Sequence, residues 1–186
     1  MIPAWPVLST SSTPVVVGHS RCTLPNILVL GVGNLLLRDE GLGIHVIRSL
    51  QSQFEVSSDV QVVDGGTAGT SLLDSILGCD HLIVADAARM CAPVGTVARF
   101  AGDDLSVCFA EKQSAHDWGL CEILLQARLL GHQPSVVVIA AEPADIESWN
   151  LDLTPELAAK LPELVDCVVR EIEAVGGQVT RRCSPE

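Results

Sequence analysis

Basic residues are scarce in this chain: 11 Lys and Arg stand against 23 Asp and Glu in 186 residues, a formal net charge of −12. They form no cluster, so the positive footprint needed to follow a phosphate backbone is missing and no nucleic acid partner is expected. Long apolar runs are missing too. None approaches the ~20 residues that cross a bilayer, so membrane insertion is not expected. The first twenty residues hold no Lys or Arg, which removes the positive segment that opens a secretory signal. The expectation is a soluble, unexported, cytoplasmic protein.

Closely spaced cysteines are also absent. Cys22, Cys79, Cys91, Cys108, Cys121, Cys167 and Cys183 make an odd count, and no two are closer than a dozen residues. That spacing offers neither a zinc knuckle nor a disulfide framework. They read as mostly buried small apolar residues in a reducing compartment.

What is present is apolar material, 48% of the chain, enough for one sizeable core at this length. Residues 1–25 are rich in Pro, Ser and Thr without periodicity, and read as a poorly ordered N-terminal extension with one short strand at Val15–Val17. Residues 26–178 read as a single α/β domain, and 179–186 as a polar tail.

The stretch NILVLGVGNLLLRDEGLGIHVIRSL, from Asn26 to Leu50, organises that domain. Ile27 to Leu30 is an apolar run too short for a helix and is cut by Gly31 and Gly33, so it reads as a buried strand ending in a tight turn. Ile44, Ile47 and Leu50 then recur at helical spacing, predicting a helix over 43–53. The loop between them carries Asp39 and Glu40. Ligands bind at the carboxyl ends of strands in open α/β sheets, where this loop lies.

Further along, Val60 to Val63 reads as a second strand closed by Asp64, Gly65 and Gly66. Thr67 to Leu77 reads as a helix opened by Gly69, with Leu72, Leu73 and Ile76 inside. His81 to Ala85 is a third, near-continuously apolar strand ending at Asp86, which suits a central parallel strand. Thr96 to Phe100 follows so soon that an antiparallel edge strand is predicted. Ser114 to Asp117 fits a capping box with Ser114 as N-cap, which puts His116 in a helix's first turn. Ser135 to Ala141 is a fifth strand stopped by Glu142 and Pro143. Thr154, Pro155 and Glu156 open a last helix, which Pro162 restarts or kinks. The order predicts a three-layer α/β sandwich, a twisted, mostly parallel five-stranded sheet between helices.

Three groups stand out for chemistry: Glu40, Asp64 and His116. If the first two strands are neighbours, their carboxyl ends lie about 5 Å apart, and both carboxylates face one pocket. The positive end of a helix disfavours imidazolium and leaves His116 a neutral nitrogen. Two carboxylates and an imidazole suit a borderline divalent ion with open positions. Each residue alone also has a structural explanation: a first-turn helix acid, a turn residue before two glycines, a capping-region histidine. Asp39 and Asp86 are secondary candidates, for capping or for orienting water and backbone. Two rivals belong to other classes. Gly31 and Gly33 after a strand, with Asp64 ending the next, suggest dinucleotide binding, but the third glycine is replaced by Leu36, and the acidic pair would repel a pyrophosphate. A non-catalytic assembly module has no positive signal.

Taken together, LGVGNLLLRDEGLG (Leu30 to Gly43), VDGGTAG (Val63 to Gly69), HLIVADA (His81 to Ala87) and SAHDWGL (Ser114 to Leu120) resemble the hydrogenase maturation proteases. The resemblance implies an endopeptidase that removes a C-terminal extension from the precursor of a nickel-iron hydrogenase large subunit after nickel insertion. It implies metal ligation by Glu40, Asp64 and His116, with nickel arriving on the substrate and not permanently resident.

Overall fold

The computed structural model describes residues 26–67, 72–102, 105 and 115–182, and in the last stretch the side chains from Leu120 onward. The expectations for Val15–Val17, Gly69 and Ser114 lie outside the described residues. Strand β1 (Ile27–Val32) is buried along its whole length. Helix α1 (Leu42–Gln53) follows, then β2 (Phe54–Val56), β3 (Val60–Gly66), α2 (Leu73–Leu77), β4 (His81–Ala87) and β5 (Val97–Ala101). Helix α3 (Ala115–Leu129), β6 (Ser135–Ala141), α4 (Pro155–Ala174) and β7 (Val179–Arg181) complete the described elements.

The main sheet has the order β3-β1-β4-β6-β5. The first four are parallel, and β5 closes the edge antiparallel to β6, as its short connection from β4 predicts. Alternation along the strands sorts side chains into two cores. Ile27, Val29, Ile83 and Ile139 face α1 and α4 through Val46, Leu50, Leu164 and Val168. Leu28, Leu30, Leu82 and Val138 face the other layer through Ile76, Leu120 and Ile123. The three-layer sandwich is therefore present. Each fully buried aliphatic side chain contributes about 1.5–3 kcal/mol, so the two apolar layers carry the fold.

Helix α4 runs through Pro162 without a break in its assigned range. Within the polar tail, Val179–Arg181 pairs antiparallel with Phe54–Val56 as a separate ribbon, and the Arg181 guanidinium lies 5.8 Å from the Phe54 ring centre. Three-residue strands carry too little periodicity to be read from sequence.

The chain leaves β1, pairs β3 on one side of it, and returns to pair β4 on the other. The loops after β1, β3 and β4 consequently converge at one edge of the sheet. That is the position a topological switch point reserves for a ligand.

Candidate active site at the carboxyl edge

The loop after β1 folds back on itself. Asn34 accepts from the Leu36 amide through its side chain at 3.0 Å and from the Leu37 amide through its carbonyl at 3.1 Å. The Asn34 amide donates to the Glu40 carbonyl at 3.2 Å, and the Gly33 amide to the Gly66 carbonyl at 3.0 Å. Gly33 sits at φ 137°, and a Cβ there would overlap the Glu40 carbonyl. This closure brings the 3-10 turn Arg38–Gly41, with both acids, under the end of β1.

Asp39 and Glu40 are both buried, but they face different tasks. The Asp39 carboxylate accepts from the amides of Ala144 (2.9 Å), Asp145 (3.0 Å) and Thr154 (2.7 Å). It also accepts from the Thr154 hydroxyl at 3.0 and 2.9 Å. Asp39 thus clamps the loop between β6 and α4 to the site turn. A carboxylate so fully engaged with donors orients backbone, one of the two roles its position in the sequence suggests.

Glu40 instead belongs with β4. The turn that carries it packs against β4 and α1. The approach is close because Gly43 has no side chain: a Cβ there would overlap the carbonyl oxygens of Ala85 and Val32. Asp86, next after Ala85, is 1% exposed and accepts from the Ala87 amide at 2.8 Å. Two buried acids therefore flank the junction of β1, β4 and the start of α1. The amino end of that helix favours negative charge nearby.

Asp64 lies opposite Gly31 on the neighbouring strand, so the predicted adjacency of strands holds. Its side chain is 41% exposed, however, with one oxygen 3.5 Å from the Arg48 guanidinium. The other accepts from the Gly66 amide at 3.1 Å. Asp64 stands on an edge strand facing solvent, while Asp86 is buried on a central one. His116 lies in the first turn of α3, and its side chain is outside the described set. Among the described residues, no three His, Cys, Asp or Glu side chains are grouped to hold a metal.

Sequence reasoning passed over three supporting residues. Arg48 holds Asp64. Glu142 accepts from the amides of Met90 (2.6 Å) and Ala92 (3.2 Å), ordering the loop beyond Asp86. Thr154 donates to Asp39 although its sequence position marks a helix cap. Of these, only Glu142 had a signal, an acid at a strand's end before proline. His45 reaches from α1 to the Leu151 carbonyl at 3.1 Å.

The loop between β6 and α4 has its own anchor. The Ser148 side chain, then the amides of Ser148 and Glu147, and finally the Arg38 charge, lower the Asp145 carboxyl to about 2. Its Oδ1 accepts from both amides at 3.0 Å, and its Oδ2 lies 3.5 Å from Arg38.

Among the described residues, the edge offers carboxylates. The Gly33, Asn34, Leu36 and Leu37 amides are all engaged within the protein, so the donors a dinucleotide fold aims at phosphate are occupied. Nor does a described histidine activate a Ser or Cys: His45 and His132 both bond backbone carbonyls.

The chain has relatives among known proteins. The HycI hydrogenase maturation protease family model matches residues 44–171. The chain is 35% identical over 160 residues to a hydrogenase expression/formation protein HupD from Rhizobium leguminosarum bv. viciae, covering 85% of this chain and 79% of the relative. It is 33% identical over 159 residues to the hydrogenase 2 maturation protease of Escherichia coli (strain K12), covering 84% of this chain and 96% of that one. The solved hydrogenase maturating endopeptidase HybD from E. coli superposes with a TM-score of 0.80 at 32% identity, over 84% of this chain and 98% of that one. With a doubly flanked sheet, a pair of buried acids at its switch point and these relatives, the chain belongs to the hydrogenase maturation protease family, a family of peptidases.

Proposed function

We propose that this peptidase removes the C-terminal extension from the precursor of a nickel-iron hydrogenase large subunit once nickel has been inserted. The observation that carries this reading, in a chain of this family, is the burial of Glu40 and Asp86 at the abutting ends of β1 and β4. Two carboxylates out of water, with an imidazole as the third ligand, would suit a borderline divalent ion presented from outside. Glu40 and Asp86 with His116 form the favoured ligand set for the substrate's nickel. Asp64 is the acid expected from sequence, but its pairing with Arg48 leaves it the weaker third candidate.

The nickel belongs to the precursor and checks that loading is complete, which seats the scissile peptide at the edge of the sheet. Hydrolysis adds water across the C–N bond: the water's oxygen joins the carbonyl carbon, one of its protons leaves, and the departing amine gains a proton. A carboxylate at this edge is the group available to carry that proton.

Intact-mass measurement of the precursor, nickel-loaded and nickel-free, tests the proposal. The expected result is loss of a C-terminal peptide from the loaded form alone. Loss from both forms discards the metal check, and loss from neither overturns the assigned substrate.

A further inference from the structure

We infer that Leu36, Trp149 and Leu151 form an apolar seat beside the catalytic edge, and that it receives apolar residues of the precursor next to the scissile bond. The inference rests on the proposed function and adds to it the surface that grips the polypeptide.

The three residues are 49%, 81% and 61% exposed. Scattered exposed apolar residues are ordinary on protein surfaces. These three are not scattered. The Asn150 amide donates to the Leu36 carbonyl at 3.1 Å and the Arg38 amide to the Asn150 carbonyl at 2.9 Å, an isolated parallel bridge between Leu37 and Asn150. That bridge sets residues 36 and 149 side by side and residue 151 one step on. Leu36 and Glu40 lie on one segment, and Asp39 between them ties that segment to the loop that carries Trp149 and Leu151.

The backbone under the patch is fixed. Asp39 takes the amides of Ala144, Asp145 and Thr154, the Asp39 amide donates to the Asp145 carbonyl at 3.0 Å, and His45 holds the Leu151 carbonyl. The loop is clamped at both ends and presents Trp149 outward, a preorganisation that lowers the ordering cost of binding. Its chemistry selects the occupant: aliphatic and aromatic side chains in an extended peptide that already reaches Glu40 and Asp86. A seat of this kind contributes to ground-state and transition-state binding alike, so it acts on KM.

The test is steady-state cleavage of nickel-loaded precursor by the wild type and the W149S/L151S variant, with a thermal melt and the oligomeric state of each. Both residues are exposed, so the melt is expected to be unchanged. The expected result is a KM raised about ten-fold or more with kcat within about two-fold, the pattern of a lost anchor. Unchanged KM overturns the inference, as does a fall in kcat alone. A wild-type dimer that the variant makes monomeric, with KM unchanged, assigns the patch to a second copy and overturns it too. A wild type that leaves the precursor intact overturns the proposed function, and the substrate seat with it.

Discussion

Thr154 gives both its amide and its hydroxyl to the carboxylate of Asp39, at 2.7 Å for the amide and 2.9 to 3.0 Å for the hydroxyl. The residue that begins α4 therefore serves the loop after β1, more than a hundred positions earlier in the chain. Helix α4 starts with Pro155 at its first position and no side-chain cap, because the hydroxyl that would cap it is used on Asp39. The site turn and the apolar seat are built on this single buried anion.

Asp39→Ala leaves the amides of Ala144, Asp145 and Thr154 without their acceptor. Water reaches the amides of exposed Ala144 and half-buried Asp145, so the loss falls mainly on buried Thr154, at about 1–3 kcal/mol for a stranded buried polar group. Urea denaturation measures it. Asp39→Asn retains one carbonyl oxygen and is expected to lose less.

Gly43→Ala forces a methyl group into the carbonyls of Val32 and Ala85. Backbone cannot rotate away as a side chain can, so an overpacking cost of about 1–3 kcal/mol is expected. Activity is expected to fall more than stability, since the shift of α1 lifts Glu40 away from the end of β4. Paired melts and cleavage rates separate the two effects.

Asp145 gives the loop a pH dependence with a defined sign. Its folded value of about 2 lies below the ordinary aspartate value of about 3.9. Its stabilising contribution is therefore complete above about pH 4 and disappears as pH falls toward about 2. The stability difference between wild type and Asp145→Asn is expected to be flat above that window and to vanish through it. Acid titration followed by the fluorescence of the neighbouring Trp149 reports it.

Thiol reactivity separates the two edges of the sheet. Burial first, then the nearby Asp80 charge, raise the Cys79 thiol to about 11, while Cys91 is exposed. The thiolate is the reacting form. Iodoacetamide at pH 8 is expected to label Cys91 and spare Cys79 in the folded protein, as peptide mass mapping shows directly.

Much of the fold was legible because its signals are local. The apolar runs Ile27 to Leu30 and His81 to Ala85 declare central strands, and the short link into Val97–Ala101 declares an antiparallel edge. Gly31 and Gly43 stand where α1 and the strands meet, and Gly33 where the 3-10 turn folds back. The site was only partly legible. Asp64 and Asp86 both end strands, and their sequence surroundings do not reveal that β3 lies at the edge and β4 inside. Sheet order decides which carboxylate is buried, and sheet order is not written in periodicity. The same holds for Asp39, whose four partners come from residues beyond position 140, and for β2 and β7, which are too short to show a pattern.

Glu40 and Asp86, the two acids buried at the junction of β1 and β4, are the pair proposed to face the reacting substrate. The most direct test is the intact mass of nickel-loaded precursor after incubation with Asp86→Asn and Asp64→Asn side by side. Cleavage is expected to be at least about a hundred-fold slower with Asp86→Asn and within about ten-fold of wild type with Asp64→Asn. The reverse order, with Asp64→Asn inactive and Asp86→Asn cutting normally, would contradict that proposal.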